Sequence, residues 1–554
     1  MSRPRWSRAA GLSLALALAG AATVPAQVPP RPPAKDLRAA ARPDPAAREA
    51  AVEALARRID RRLEAVWKER GIVPAEPVGD AEFLRRVYLD TVGRIPRVGE
   101  ARAFLADPDP GKRAKWVKRL LESAGYANHF SAVTRDEWFP GTTDDFRVQF
   151  AAIQVENWLR DRFRENTPYD EMVRDLLLAP VNDPGQERFR FDASRAQAAA
   201  FFQANENKPE EVASAAARLF LGVKLECAQC HDHPFAPYTR EQFWEFAAFF
   251  GDVQPGLPRP RPGRQEDFER LRETRIPNTN PPRTVTARYF DGTEPDWKPD
   301  QLPREALVEW LVRAENPYFA RNAANRVWEH FFGVGIIDPV DEPGEKNPPS
   351  HPELLDDLAG AFVESGYDLK FLAEAIVRSR AYQLSSRQTH SSQAAPQTFA
   401  RMAVKGMTPE QFFDSLAAAT GFKEPPGESR SARPFQVNTP RGQFLNRFTT
   451  TERPTEAQTS ILQALMLMNG PFVADQTSLE KSETLAAVLD MPFATTPDRI
   501  EALFLAALGR TPTPEEAGRF AAYVESGGPA KDPNKALGDV FWALLNSTEF
   551  MVNH

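Results

Sequence analysis

Asn207-Lys-Pro-Glu-Glu-Val-Ala-Ser-Ala-Ala-Ala-Arg-Leu-Phe220 and, a short way on, Thr239-Arg-Glu-Gln-Phe-Trp-Glu-Phe-Ala-Ala-Phe-Phe250 are the runs from which the fold is read. Asn207 is placed to cap a helix, Pro209 suits its first turn, and Glu210 and Glu211 favour its positive end. Val212, Ala216, Leu219 and Phe220 then give an apolar face at helical spacing. Thr239 with Gln242 forms a capping-box pattern ahead of a second helix carrying Phe243, Trp244, Phe246, Ala247 and Phe250.

The same period recurs outward. Val52, Leu55, Ile59 and Leu63 make one stripe, with Gly71 and Pro74 as stop signals. Asp80 is a candidate cap for a helix bearing Phe83, Leu84, Val87, Tyr88 and Val92 and ending at Gly93. Further helices fit 110–124, 150–164 and 168–178. A second helical block runs from Arg304 through Phe332. Another starts at His351, with Leu354, Leu355, Leu358, Phe362, Leu369, Leu372 and Ile376 in register. The tail from Thr459 is helical again through Ile461, Leu465 and Met468. Only Thr284 to Tyr289 alternates as a strand does, and residues 383–399 and 425–456 read as loops. The expected fold class is therefore mainly α: multi-helical, two domains with long irregular connections and little β structure.

One echo runs through the chain. Tyr88-Leu-Asp-Thr-Val-Gly-Arg-Ile-Pro96 matches Phe504-Leu-Ala-Ala-Leu-Gly-Arg-Thr-Pro512, and the register extends to Ala101 and Phe104 against Ala517 and Phe520. Each copy reads as helix, glycine stop, proline turn, helix.

At 554 residues the chain is too long for one ordinary domain. Arg3, Arg5 and Arg8 precede an apolar run, Ala9 to Ala22, and Val24-Pro25-Ala26 offers the small residues of a cleavage site. The expected layout is a signal peptide at 1–26 and a disordered leader at 27–48. A helical domain at 49–254, a proline-rich connector with a short strand at 255–303 and a second helical domain at 304–554 follow. The chain is expected to be exported, periplasmic or associated with the cell surface, with no transmembrane segment after signal cleavage. A formal charge of -7 gives no reason to expect nucleic acid as a partner.

Between the two decisive helices lies Cys227-Ala228-Gln229-Cys230-His231, which holds both cysteines of the chain. Two thiols three positions apart can bond the two vinyl groups of one porphyrin, and the adjoining histidine can ligate its iron, which is the attachment pattern of a c-type haem. Cys227 and Cys230 are thus the expected thioether anchors of a covalent haem c, and His231 its proximal iron ligand. His233 and His330 are further candidates for iron, as are Met172 and His351. Aromatic residues at 235–250 are expected to shield such a group from water. Two rival readings stand beside this one. Cys227, Cys230 and His233 fit Cys-x2-Cys-x2-His, a partial zinc site that would suit an extracellular hydrolase. A Cys227–Cys230 disulfide would suit a non-catalytic surface or scaffold protein. No Gly-x-Ser-x-Gly elbow, phosphate-binding loop or dinucleotide fingerprint is present.

Phe220-Leu-Gly-Val-Lys-Leu-Glu-Cys-Ala-Gln-Cys-His-Asp-His-Pro-Phe235, with Tyr88 to Pro96, resembles the cytochrome-c-like first domain (domain of unknown function 1549) of large exported planctomycete proteins. Three runs resemble their planctomycete surface domain (domain of unknown function 1553): Asn316-Pro-Tyr-Phe-Ala-Arg-Asn-Ala-Ala-Asn-Arg-Val-Trp-Glu-His-Phe-Phe-Gly333, Asn347-Pro-Pro-Ser-His-Pro-Glu-Leu-Leu355 and Ser379-Arg-Ala-Tyr-Gln-Leu-Ser-Ser386. The resemblance implies haem at Cys227, Cys230 and His231, with His233 in the same string, and leaves open whether the chain works alone; a chain that passes single electrons is expected to meet a redox protein or surface complex. It implies no particular enzymatic activity.

Overall fold

The computed structural model describes residues 44–139, 146–181, 193–254, 256–257, 260–344, 346–424, 439–448, 455 and 470–554. The expected signal peptide, most of the leader and the helix expected around Ile461 to Met468 lie outside these residues.

The first half is a succession of helices. They are α1 (Pro45–Arg70), α2 (Asp80–Val92), α3 (Val98–Ala106), α4 (Lys112–Leu121), α5 (Ala124–Trp138), α6 (Phe146–Glu165), α7 (Tyr169–Leu177), α8 (Ala193–Ala204), α9 (Pro209–Ala216) and α10 (Arg240–Ala247). A connector follows, with α11 (Gln265–Leu271) and an antiparallel pair, β1 (Glu273–Ile276) and β2 (Arg283–Thr286), in which Thr274 faces Val285. Next come α12 (Pro303–Leu311), α13 (Phe319–Phe332), α14 (Pro352–Glu364), α15 (Leu369–Arg378), α16 (Pro409–Thr420) and α17 (Pro440–Phe448). The last helices are α18 (Pro471–Gln476), α19 (Glu483–Leu489), α20 (Thr496–Leu508), α21 (Pro514–Glu525), α22 (Pro533–Leu545) and α23 (Thr548–Met551). A second small ladder joins β3 (Lys405–Gly406) to β4 (Val552–Asn553). The protein is mainly α with little β structure. Among the described residues no helix is long and apolar enough to cross a membrane.

Local chemistry explains most boundaries and corrects some expectations. In α1 the stripe Val52, Leu55, Ile59, Leu63 and Trp67 is buried, and Gly71 ends the helix at φ 64°. That helix starts at Pro45, inside the stretch read as leader, because proline is tolerated where no intrahelical N–H is needed. Asn207 does not cap α9. It sits at φ 51° and its N–H bonds the Phe202 carbonyl, closing the end of α8, while Lys208 takes the cap position. Asp80 lies in the first turn of α2 behind Gly79. The Thr239–Gln242 capping box is formed.

Both copies of the echo fold alike. α2 stops at Gly93 (φ 75°) and α20 at Gly509 (φ 71°), each followed by a turn and a new helix, α3 or α21. Arg94 grips Glu100 at 2.8 and 2.9 Å, and Arg510 grips Glu516 at 2.8 and 2.9 Å. Each guanidinium also lies 5.3 Å from the ring six residues earlier, Tyr88 or Phe504.

The two hydrophobic cores do not follow the linear division of the chain. One gathers residues from Val52 to Met402, together with Leu505 of α20, running straight through the connector by way of Ile276, Val285 and Tyr289. The other unites Phe412, Phe444, Leu503, Phe541 and Phe550 with Leu89 and Ile95 of the first copy of the echo. Helix α2 therefore belongs to both.

Candidate functional site

The cysteine motif sits on a short bridge between α9 and α10. α9 widens into a single π turn, Ala217–Leu221, that ends at Gly222 (φ 71°). A side chain there would meet Asn322 Oδ1 at 2.6 Å, so the close approach of α13 requires glycine. Val223 and Leu225 are buried, and a 3₁₀ turn, Glu226–Gln229, then carries the motif outward. Ala228 points into the core at 0 % exposure, whereas Cys227 and Cys230 are free thiols exposed to solvent. Residues three apart nearly eclipse on a 3₁₀ turn, which puts the two thiols on one side of it. The turn is pinned from behind by Trp244 Nε1, which donates to the Gln229 carbonyl at 3.1 Å.

The two histidines that follow are wired differently. His231 is exposed, and its Nδ1 lies 2.7 Å from the Asp232 carbonyl. A carbonyl only accepts, so Nδ1 carries the proton and Nε2 keeps its lone pair facing outward from that bond, the tautomer of an Nε2 metal ligand. His233 Nδ1 instead accepts from the N–H groups of Phe235 (3.2 Å) and Ala236 (3.0 Å). Its remaining proton is then on Nε2, and neither nitrogen offers a lone pair. His233 holds the loop together. The Asp232 carboxylate accepts from the Arg240 N–H at 2.8 Å, at the start of α10.

The aromatic residues expected to shield this group do not surround it. Phe243, Trp244 and Phe246 are buried in the core beneath the turn. Tyr238 packs 5.0 Å from Phe290. Phe235 alone projects, 75 % exposed, with Lys346 Nζ 5.6 Å from its ring. Helix α10 buries its large residues because they face α9, and this leaves the motif at the surface.

The other candidate ligands lie in other side-chain clusters. His330 Nε2 is 2.7 Å from the Asp90 carbonyl and its ring packs against Phe130 (4.9 Å) and His129 (5.6 Å). Met172 is buried and lines the same cleft as His330. His351 precedes α14, with Nδ1 3.1 Å from Ser350 Oγ, and burial beside Arg70 pushes it down to about 4. Among the described residues no group of three or more His, Cys, Asp or Glu side chains is arranged to hold a metal ion.

Two family models match the chain: PSCyt2, a protein of unknown function (DUF1549), over residues 58–255, and PSD1, a protein of unknown function (DUF1553), over residues 303–449 and 442–524. The chain belongs to this two-domain family. No curated protein and no solved structure is significantly similar to it. The cysteine motif falls in the PSCyt2 segment, and His330 in the PSD1 segment.

Where the PSCyt2 and PSD1 segments meet, the structure assembles a buried polar group that sequence reasoning did not find. The Asp90 carboxylate receives Lys405 Nζ, Asn553 Nδ2 and Tyr382 Oη, each at 2.7 Å. Its side chain is 2 % exposed and that of Lys405 8 %. Lys405 Nζ also donates to the carbonyls of His330 (3.1 Å) and Phe331 (2.9 Å). Burial lowers the Lys405 ammonium and raises the Tyr382 phenol, while the Asp90 charge pulls Lys405 back up. One sequence signal pointed here: in the echo, Asp90 stands where the second copy has Ala506.

Proposed function

We propose that this is an exported protein that carries a c-type haem covalently on Cys227 and Cys230, ligated by His231, and exchanges single electrons with a redox partner at its surface. The observation that carries the reading is the state of the motif. Both thiols are free and exposed on one 3₁₀ turn, and the adjoining histidine has its Nδ1 proton committed to a carbonyl. That donor set fits two thioether bonds and one axial nitrogen. A haem bound there would supply one-electron chemistry. The chain's own contribution is to hold the anchors on a turn pinned by Trp244 and Arg240, and to fix the His231 tautomer through the Asp232 carbonyl.

Exposure of the turn favours electron exchange by direct surface docking and disfavours a high potential, which burial of the iron would promote. Zinc is a poorer match, because His233, the third ligand of that pattern, spends its Nδ1 lone pair on two backbone N–H groups. In a host that matures c-type cytochromes, the protein is expected to gain the mass of one porphyrin and give a pyridine haemochrome spectrum. Cys227→Ser should reduce covalent retention, and His231→Ala should change the iron spectrum. An intact mass without porphyrin, or unchanged haem content in both variants, overturns the proposal.

A further inference from the structure

A hollow of about 410 Å³ lies where the start of α2, the turn at 385–387 and the end of α20 come together, and no residue of the cysteine motif borders it. The run that leads into α2 is paired with the run that leads into the turn. The Val78 N–H donates to the Gln383 carbonyl at 2.9 Å, and the Ser385 N–H donates to the Glu76 carbonyl at 2.8 Å. Ser386 and Arg387 thereby share the lining with Gly79 and Ala81 at the head of α2.

The charges around this hollow do not cancel. Arg85, 2 % exposed, donates Nη1 to the Ala507 carbonyl (3.3 Å) and Nη2 to the carbonyls of Glu549 (3.0 Å), Phe550 (2.8 Å) and Val552 (3.4 Å). Carbonyls bring only partial charge, and Arg85 Nε has no partner among the described residues. Burial pushes the guanidinium down to about 10, so it stays charged at neutral pH. The nearby carboxylates are committed to other cations. Glu549 holds Arg510 at 2.7 and 2.8 Å, Glu82 holds Arg86 at 3.1 Å, and Asp80 holds Lys112 and Arg113 at 2.8 Å each. His554, pushed down to about 4 by burial, is neutral. Arg387 is exposed and pairs with no carboxylate among the described residues. No side chain caps α2 at Gly79, so its first N–H groups add partial positive charge.

We infer that this hollow binds the oxyanion of a phosphate or sulfate group, taken up by the α2 N–H groups, the Ser386 hydroxyl and Arg387, with the buried Arg85 charge in its wall. A helix N-terminus offers an anion both N–H donors and a favourable dipole. A guanidinium matches phosphate and sulfate oxygens with its fork of donors. A buried cation without a counter-charge is costly, and an anion seated beside it supplies one. A tetrahedral ion presents more oxygens to these donors than a carboxylate does, so the site favours it over acetate. The space is ample for the ion and leaves room for the body of an ester, since small-molecule sites run from about 300 to 1,000 Å³.

The test is calorimetric titration of the full chain with inorganic phosphate, sulfate, acetate and glucose 6-phosphate, each against sodium chloride of matched ionic strength. Saturable binding of phosphate or sulfate is expected, at least about fivefold tighter than acetate. Tighter binding of glucose 6-phosphate than of inorganic phosphate assigns the group to an ester, and the reverse order assigns it to the free ion. Ala81→Glu sets a carboxylate in the lining, at a helix position that favours acid, and should abolish binding while the urea transition stays native. Arg387→Ala should weaken binding at least about fivefold. Neither variant disturbs Arg85, whose loss would also break its contacts to the carbonyls. Protein made with and without haem maturation should bind alike, which separates this site from the haem reading. No saturable binding beyond the chloride control, acetate bound as tightly as phosphate and sulfate, binding unchanged in either variant, or binding only in haem-loaded protein overturns it.

Discussion

Asp90 shows how a single residue reorganises its surroundings. Its counterpart Ala506 is a plain core residue, 1 % exposed, whereas Asp90 draws a lysine, a tyrosine and an asparagine from three distant stretches. Removing the cation from such a pair leaves a charge buried without compensation. Lys405→Met should therefore destabilise the fold by about 3–5 kcal/mol, read from urea denaturation, although methionine fills much the same volume. Legibility at this scale is uneven. Cys227, Cys230 and His231 could be read from the sequence because their chemistry demands those residue types at that spacing. Their exposure could not, since it depends on which way the Phe243–Phe246 face of α10 turns. The wiring of His233 was equally hidden: it rests on two backbone N–H groups whose direction only the folded loop sets.

Among elements, the twofold use of helix, glycine and turn gives a matched comparison. Both stop glycines sit at positive φ, where any other residue is strained by roughly 1–3 kcal/mol. Their neighbours differ. A Cβ on Gly509 would meet Pro96 Cγ at 3.3 Å, a contact that can yield, whereas one on Gly93 would lie 2.6 Å from His129 Nδ1. Gly93→Ala should thus cost at least about 1 kcal/mol more than Gly509→Ala, measured as the difference in their thermal or urea transitions. The echo was visible from its glycine, arginine and proline, and the helices from their 3.6-residue period. β1 was not, because Glu273-Thr-Arg-Ile276 buries only Ile276 and so lacks alternation. β2 ends at Thr286, earlier than the expected Tyr289, whose ring leaves the ladder to stack 5.1 Å from Trp310.

For the molecule as a whole, buried ionisable groups shape the response to acid. Of the 7 histidines, His129, His330, His351 and His554 are all depressed by burial, the last two to about 4. A histidine held neutral in the folded chain but titrating near 6.5 when unfolded leaves the unfolded state with more bound protons in between. Stability then rises with pH across that window and is lost as pH falls from about 6.5 towards 4. Asp60, pushed up to about 6 by burial, opposes this, since its contribution is lost as pH rises from 3.8 to about 6. Burial raises the Glu137, Asp170 and Glu245 carboxyls as well, so the two sets offset one another and the histidine part is read by substitution. On acidification from pH 7 to 4.5, His351→Asn should lose less stability than the unsubstituted chain, by about 2 kcal/mol in urea denaturation. The division into two family segments was readable from motif and composition. The interleaving of their cores was not, because no periodic pattern records which distant helix an apolar stripe will meet.

Asn553 and Asp90 stand 463 positions apart in the chain yet share one hydrogen bond. A ribosome releasing this polypeptide from its amino end therefore leaves the α2 carboxylate waiting until 463 further residues have been made. Maturation is bound to trail synthesis, and a nascent thread kept open for so long is well suited to being passed across a membrane before it closes.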